Sequence, residues 1–150
     1  MIHLIRATIV SMLFGMTACV IVGPLPVYQA PATGSVLTID HSVEGQFLRH
    51  KSLSVSLAVL TGNCTSQFLG EIPKDDYQTG TIIPSGHALV VTASILHNGL
   101  QSSNSLTEGR VFTPKRNATY RVQLLSGTSG YAVDIYENGK KLPFLRRCTY

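Results

Sequence analysis

The sequence predicts an all-β fold, an antiparallel β-sandwich of about seven or eight short strands preceded by an N-terminal signal or anchor helix. Three observations predict it. Beyond residue 34 the apolar residues recur at every second position, not every third or fourth. Clusters of Gly, Pro, Asn and Ser punctuate these runs at the spacing an all-β domain needs. The composition is poor in charge, 13%, and its Gly, Ser, Thr and Val favour strands and turns over helices. A chain of 150 residues suits one domain and is too short for two ordinary ones. Without an N-terminal leader, roughly 115 to 130 residues remain, enough to bury about two-thirds of the unfolded surface.

The leader comes first. MIHLIR places Arg6 ahead of an apolar stretch over residues 7–22, the order of a positive n-region and an apolar h-region in a secretory signal. Those residues span about 24 Å as a helix, short of the roughly 30 Å hydrocarbon core, and Gly23 and Pro24 then end it. Within this stretch Met16, Thr17, Ala18 and Cys19 resemble the lipobox of bacterial lipoproteins, in which small residues precede a cysteine that is lipidated and becomes the mature N-terminus. The resemblance implies a signal peptide over residues 1–18 and a palmitate-type lipid anchor at Cys19. Two alternatives stand beside it: cleavage near Ala32 in the small-residue pattern Ala30, Pro31, Ala32, or an uncleaved anchor.

Residues 19–33 then read as the lipid-attachment cysteine and a proline-rich linker, and residues 34–150 as the β-sandwich domain. A first strand is expected at residues 35–39. In KSLSVSLAVL, Leu53, Val55, Leu57 and Val59 alternate with Ser52, Ser54, Ser56 and Ala58, the pattern of a strand with one buried and one wet face. A strand at residues 81–84 follows, then HALVVTASILH with Leu89, Val91, Ala93 and Ile95 on one side. Residues 109–113 form another, ended by Pro114 and a turn at PKRN. ATYRVQLL turns Tyr120, Val122 and Leu124 inward against Arg121 and Gln123, and GYAVDIYE sets Tyr131, Val133 and Ile135 against Ala132, Asp134 and Tyr136. SGTSG joins these two as a loose hairpin. Asn138 and Gly139 predict a type I′ hairpin turn, whose two central residues need positive φ. Residues 65–80 and 98–108 read as long polar loops, with no convincing helix after Val22. The alternation suits a sandwich or a small barrel, and a sandwich of Ig-like or transthyretin-like form is expected.

IPSG at residues 83–86 and FTPKRNATYRV at residues 112–122 are similar to a pattern met in small bacterial exported lipoproteins of β-sandwich type, where a proline-led turn feeds a Tyr-x-Val strand. The resemblance implies a class and no activity. Cysteine usage points to export independently: with Cys19 set aside, Cys64 and Cys148 remain, an even number for an oxidising compartment. A Cys64–Cys148 disulfide closes a loop of about 85 residues, a stabilisation of roughly 4.5 kcal/mol in the chain-entropy model.

Motifs of chemistry are missing: the sequence holds no GxSxG elbow, HExxH pair, P-loop or dinucleotide fingerprint. No catalytic residue, cofactor or metal is therefore assigned. His87 and His97 stand ten residues apart, about 33 Å along an unbroken strand and too far for one metal. Nothing in the spacing of His41, Glu44 and His50 fixes their geometry, and Asp75 and Asp76 read as solvated loop acids. Two Asn-x-Thr patterns, at Asn63 and Asn117, are incidental in a bacterial chain.

The net charge of +4, or +3 once Arg6 leaves with the signal, is too small to imply nucleic acid. Its distribution says more. Lys115, Arg116, Lys140, Lys141, Arg146 and Arg147 crowd the last 36 residues, and Tyr136 offers an aromatic contact on the same hairpin. Tyr136, Lys140, Lys141, Arg146 and Arg147 are the candidate binding residues, with a solvated, aggregation-resistant edge as the plainer account. Reversing Lys140 and Lys141 is expected to leave folding intact. The reading that follows is a lipid-anchored envelope protein facing the periplasm, non-catalytic, with a β-sandwich that binds an envelope protein or an anionic envelope polymer. A periplasmic inhibitor or immunity protein working through a projecting loop, and a hydrolase with an unrecognised site, are the alternatives; a secreted or soluble periplasmic location is the alternative placement. Intact mass of the membrane-extracted chain is expected to show a lipid on Cys19, and a mature chain starting at Ala32 or Thr33, or retaining Met1, refutes it.

Overall fold

The computed structural model describes residues 23–40, 51–61, 65–98, 103–127 and 130–143. Within them the order is β1 (Ser35–Asp40), β2 (Lys51–Leu60), β3 (Ser66–Glu71), α1 (Asp76–Thr79), β4 (Thr81–Ile83), β5 (Leu89–Asn98), β6 (Ser103–Phe112), β7 (Thr119–Gly127), β8 (Gly130–Glu137) and β9 (Lys140–Lys141). The chain is mostly β, in two sheets dominated by antiparallel pairing, consistent with an all-β sandwich. One sheet runs β4-β1-β7-β8-β9 and the other β3-β2-β5-β6. The signal or anchor helix, Cys19, Cys64, Cys148, Arg146, Arg147, His41, Glu44 and His50 lie outside the described residues.

The alternation seen in the sequence becomes the core. Leu37 and Ile39 of β1, Val55 and Leu57 of β2, Leu89, Val91, Ala93 and Ile95 of β5, Tyr120, Val122 and Leu124 of β7, and Val133 and Ile135 of β8 are all buried. Period-two patterning assigns these faces because a one-residue slip in register exposes the whole apolar set. The Asn138–Gly139 turn has φ of 48° and 84°, positive at both central positions as a type I′ turn requires. The β7–β8 pairing continues to Gly127 opposite Gly130, so that hairpin is tighter than SGTSG implied.

Five features depart from the sequence expectation. There are nine strands among the described residues, and one pair, β1 with β7, is parallel. Residues 65–80 are not a loop: they form β3 and the four-residue α1. The strand was hidden by a bulge, since Leu57 pairs with Gly70 and Ala58 with Phe68, which leaves Leu69 as an extra residue and breaks the alternation. Within the expected loop at residues 98–108, Asn98 and residues 103–108 also pair, as the end of β5 and most of β6. That strand reads as polar because it is an edge. Its core-facing positions opposite Ala93 and Val91 are Glu108 and Arg110, charges that stop a further strand from adding there.

The fifth departure is the expected linker, part of which belongs to the folded unit. The Tyr28 N–H donates to the Glu71 carbonyl at 2.8 Å and the Glu71 N–H to the Pro26 carbonyl at 2.9 Å, a parallel bridge along the edge of β3. Tyr28 is buried and its hydroxyl donates to the Ile82 carbonyl of β4 at 2.9 Å, so one side chain ties the two sheets together. Gly70 permits this approach. A Cβ there would stand 2.5 Å from the Tyr28 nitrogen, and its φ of 140° suits only glycine.

The helix does a second tie. Residue Val55 lies beyond the reach of β3, and its N–H donates instead to the buried Tyr77 hydroxyl at 3.0 Å, while its carbonyl accepts from Ile72 at 2.8 Å. Burial pushes the Tyr77 phenol up to about 12, so this acceptor keeps its proton throughout the range in which the protein folds. Tyr77→Phe leaves the Val55 N–H buried and unpaired. It is expected to lower stability by about 1–3 kcal/mol, read as a lower urea midpoint with an unchanged slope.

Candidate functional site

The outward face of the five-stranded sheet carries two of the candidate binding residues, Tyr136 and Lys141, whereas Lys140 has the opposite parity, in the row of Glu137 and the buried Tyr120, and Arg146 and Arg147 lie outside the described residues. Register places Thr38 of β1, Arg121 of β7, Tyr136 of β8 and Lys141 of β9 in one row across four strands. Such positions alternate with the core residues Leu37, Val122 and Ile135, so they point away from the interior. The Arg121 guanidinium lies 5.0 Å from the centre of the Tyr136 ring, within the range of a cation–π contact. Arg121 was absent from the candidate set. Only register reveals it, because fifteen positions separate it from Tyr136 in the chain although the two are opposite each other in the sheet.

Lys140 and Lys141 have different roles. Lys140 is exposed at the tip, opposite Glu137. Lys141 donates to Asp134 at 2.6 Å, and the Asp134 side chain is only 8% exposed. The bond holds the Lys141 ammonium above its ordinary value. Asp134 occupies an outward parity yet is buried, so a negative charge in its place must be matched. The expectation that both lysines can be reversed without cost to the fold therefore fails at Lys141 on physical grounds: a glutamate there would face a nearly buried carboxylate.

A second cluster lies beside the Asn138–Gly139 turn of the same hairpin, on its other parity. The Tyr120 ring is buried and packs against Phe112, with centroids 5.1 Å apart. Its hydroxyl accepts from the Lys115 N–H at 2.9 Å and donates to Glu137 Oε1 at 2.9 Å, while Lys115 Nζ reaches Glu137 Oε2 at 2.9 Å. Glu137 is thus held on both oxygens. The Lys115 ammonium, and next the Tyr120 hydroxyl, keep its carboxyl below the usual range. Beside the cluster lies a mainly apolar groove of about 190 Å³, walled by Phe112, Thr113, Leu142 and Pro143. Ser35 adds to the closure, its hydroxyl donating to the Lys115 carbonyl at 2.5 Å.

Among the described residues no group of three or more His, Cys, Asp or Glu side chains is placed to hold a metal ion. His87 precedes β5 and His97 lies near its far end, so the two stand at opposite ends of one strand. Asp75 and Asp76 open α1, where Asp76 lies in the first turn. No helix among the described residues is long and apolar enough to cross a membrane. Comparison with protein-family models, curated proteins and solved structures finds no match.

The Glu137 contacts make stability depend on pH with a definite sign. Because the folded carboxyl titrates below its ordinary value, its contribution is present at neutral pH and is lost as acid carries the solution down through that lowered value. Urea unfolding of the wild type and Glu137→Gln at about pH 7 and about pH 3 is expected to show the two converging in acid. A gap that stays constant refutes the assignment.

Proposed function

We propose that this chain is a non-catalytic binding module of the bacterial cell envelope, lipid-anchored through Cys19, whose sandwich presents a cationic and aromatic strip to an anionic envelope polymer. The single observation that carries the binding surface is the row Arg121, Tyr136 and Lys141 on adjacent strands, with the Arg121–Tyr136 stack inside it. Stacked arginine presents its N–H donors at the ring's edge, where phosphate or carboxylate can meet them in pairs. The anchor is supported by the leader and the Thr17, Ala18, Cys19 sequence. An Ig-like or transthyretin-like form is supported by the division of nine strands into sheets of five and four, the strand number of variable-type Ig sandwiches.

Part of the hairpin's charge is tied up in ion pairs. Lys141 answers Asp134 and Lys115 answers Glu137, and Lys140 has the opposite parity, which leaves Arg121 as the charge the strip offers to a partner. Arg121→Glu is expected to weaken retention on an immobilised polyphosphate several-fold at low salt and little at high salt, because screening over about 10 Å at 0.1 M already removes most of an exposed attraction. Urea midpoints should match the wild type. Equal retention of variant and wild type at both salts removes the strip as a binding surface, and capture of one acidic envelope protein in place of polymer moves the partner to a protein.

A further inference from the structure

The two outward faces of the sandwich differ in chemistry. Outward positions of β1, β7, β8 and β9 carry Asp40, Arg121, Gln123, Asp134, Tyr136 and Lys141, with the exposed Val36 and Leu125 set singly among them. The opposite sheet is almost free of charge. Its outward rows are Ser56–Thr92–Gly109, Ser54–Ser94–Thr107 and Ser52–Leu96–Ser105, and Glu71 is the one acidic or basic residue among its described outward positions. Glu108 and Arg110 of β6 do not alter this, since both occupy core-facing positions and pair with each other.

At one corner this neutral face turns apolar. Phe68, Ala58, Val90 and Val111 form a row across all four strands, and Phe68 at its end is 42% exposed. Next to it the docked N-terminal segment adds Val27, which shares the outward side of Glu71 through the parallel bridge, and Leu25 two residues earlier. These are 56% and 55% exposed. Pro24 and Pro26 flank Leu25 and hold this stretch extended.

We infer that the face of β3-β2-β5-β6, which bears Glu71 as its one described charge, is the membrane-facing side of the domain, with Leu25, Val27 and Phe68 inserting at its lipid-contacting corner. This rests on the proposed anchor. What identifies the occupant is the length of chain before the docked segment and where it ends. The apolar leader stops at Val22, and the fold grips the chain at Pro26, four residues on. Four extended residues reach about 14 Å and the seven from Cys19 reach about 25 Å, less than the width of the domain, so the bridge at β3 is held within one short tether of the bilayer. The three exposed apolar side chains are on that tether or beside it. A neutral, hydroxyl-bearing face meets headgroups without stripping water from ions, whereas the opposite face would bury Asp40, Arg121 and Lys141 at a cost. This orientation turns the Arg121–Tyr136 strip away from the membrane.

The chain has no tryptophan, so single substitutions give clean reporters. The full chain with Phe68→Trp, and separately with Leu125→Trp on the opposite sheet, is purified from membranes and placed in phosphatidylethanolamine and phosphatidylglycerol vesicles. Half of the vesicles contain acyl chains brominated near the headgroup. Expected is blue-shifted emission from the residue-68 reporter, quenched at least twofold by the brominated lipid, with the residue-125 reporter unmoved. Flotation on a density gradient reads the anchor separately. A protein that floats while the residue-68 reporter is unquenched overturns this orientation and leaves the anchor standing; one that does not float overturns both. An equal blue shift in detergent that grows with protein concentration assigns the corner to a second copy of the chain and overturns the membrane contact. Near-native circular dichroism and urea midpoints are required of both variants, and Val27→Trp serves as the reporter if Phe68→Trp does not fold.

Discussion

Strands of unequal length leave backbone donors and acceptors without a neighbour, and a buried group of this kind costs about as much as a lost hydrogen bond. Three tyrosine hydroxyls meet that constraint here. Tyr28 serves the Ile82 carbonyl, Tyr77 the Val55 N–H, and Tyr120 the Lys115 N–H. Each ring is buried, so the aromatic body fills the space between sheets while the hydroxyl finishes a ladder. The rest of the fold follows from these ties. Tyr28 brings the entering chain to β3, Tyr77 seats α1 over the place where β3 stops, and Tyr120 fixes the turn before β7 against Glu137. Phenylalanine at any of the three positions would fill the same space and leave the backbone unanswered.

The chemistry of the surface is sorted by sheet in the same way. Carboxylates Asp134 and Glu137 neutralise lysines from within the hairpin, so the basic cluster of the sequence is partly a set of structural ion pairs. The lysine ends of these pairs are exposed while the carboxylates are largely buried, and the geometry removes Lys115 and Lys141 from the charge offered to a partner. The opposing sheet expresses its restraint in serine and threonine, with Ser94 and Thr107 hydroxyls 3.1 Å apart across neighbouring strands.

Much of the architecture was legible from residue order. Alternation over residues 53–57, 89–95 and 120–124 assigned buried faces correctly, and Asn138–Gly139 announced its turn. Legibility failed where the alternation was interrupted or carried no apolar signal. The bulge at Leu69 concealed β3, and the inward Glu108 and Arg110 disguised an edge strand as a loop. Tyr28 was read as part of a linker because the prolines around it signal extension, and an extended segment can join a sheet edge as readily as it can cross solvent. The candidate surface was half legible. The outward position of Tyr136 followed from parity on its strand, whereas Lys140 has the opposite parity, Arg121 depends on a cross-strand neighbour and the tie of Lys141 to Asp134 on a burial that parity contradicts.

The parallel pairing of β1 with β7 also sets a schedule. Val36 meets Thr119 and Asp40 meets Gln123, partners more than eighty residues apart, and the other neighbour of β1 is the three-residue β4. Closing so long a loop must precede the reward of the contact, and topologies dominated by such pairings fold slowly. The opposing sheet closes shorter loops, since β2–β3 and β5–β6 pair consecutive strands and β2–β5, which spans β3, α1 and β4, joins residues no more than about fifty positions apart. A chain emerging N-terminus first can therefore complete the neutral sheet while β1 waits for β7. Its apolar inner face stays open during that interval, and the arrival of β7 decides when the sandwich shuts.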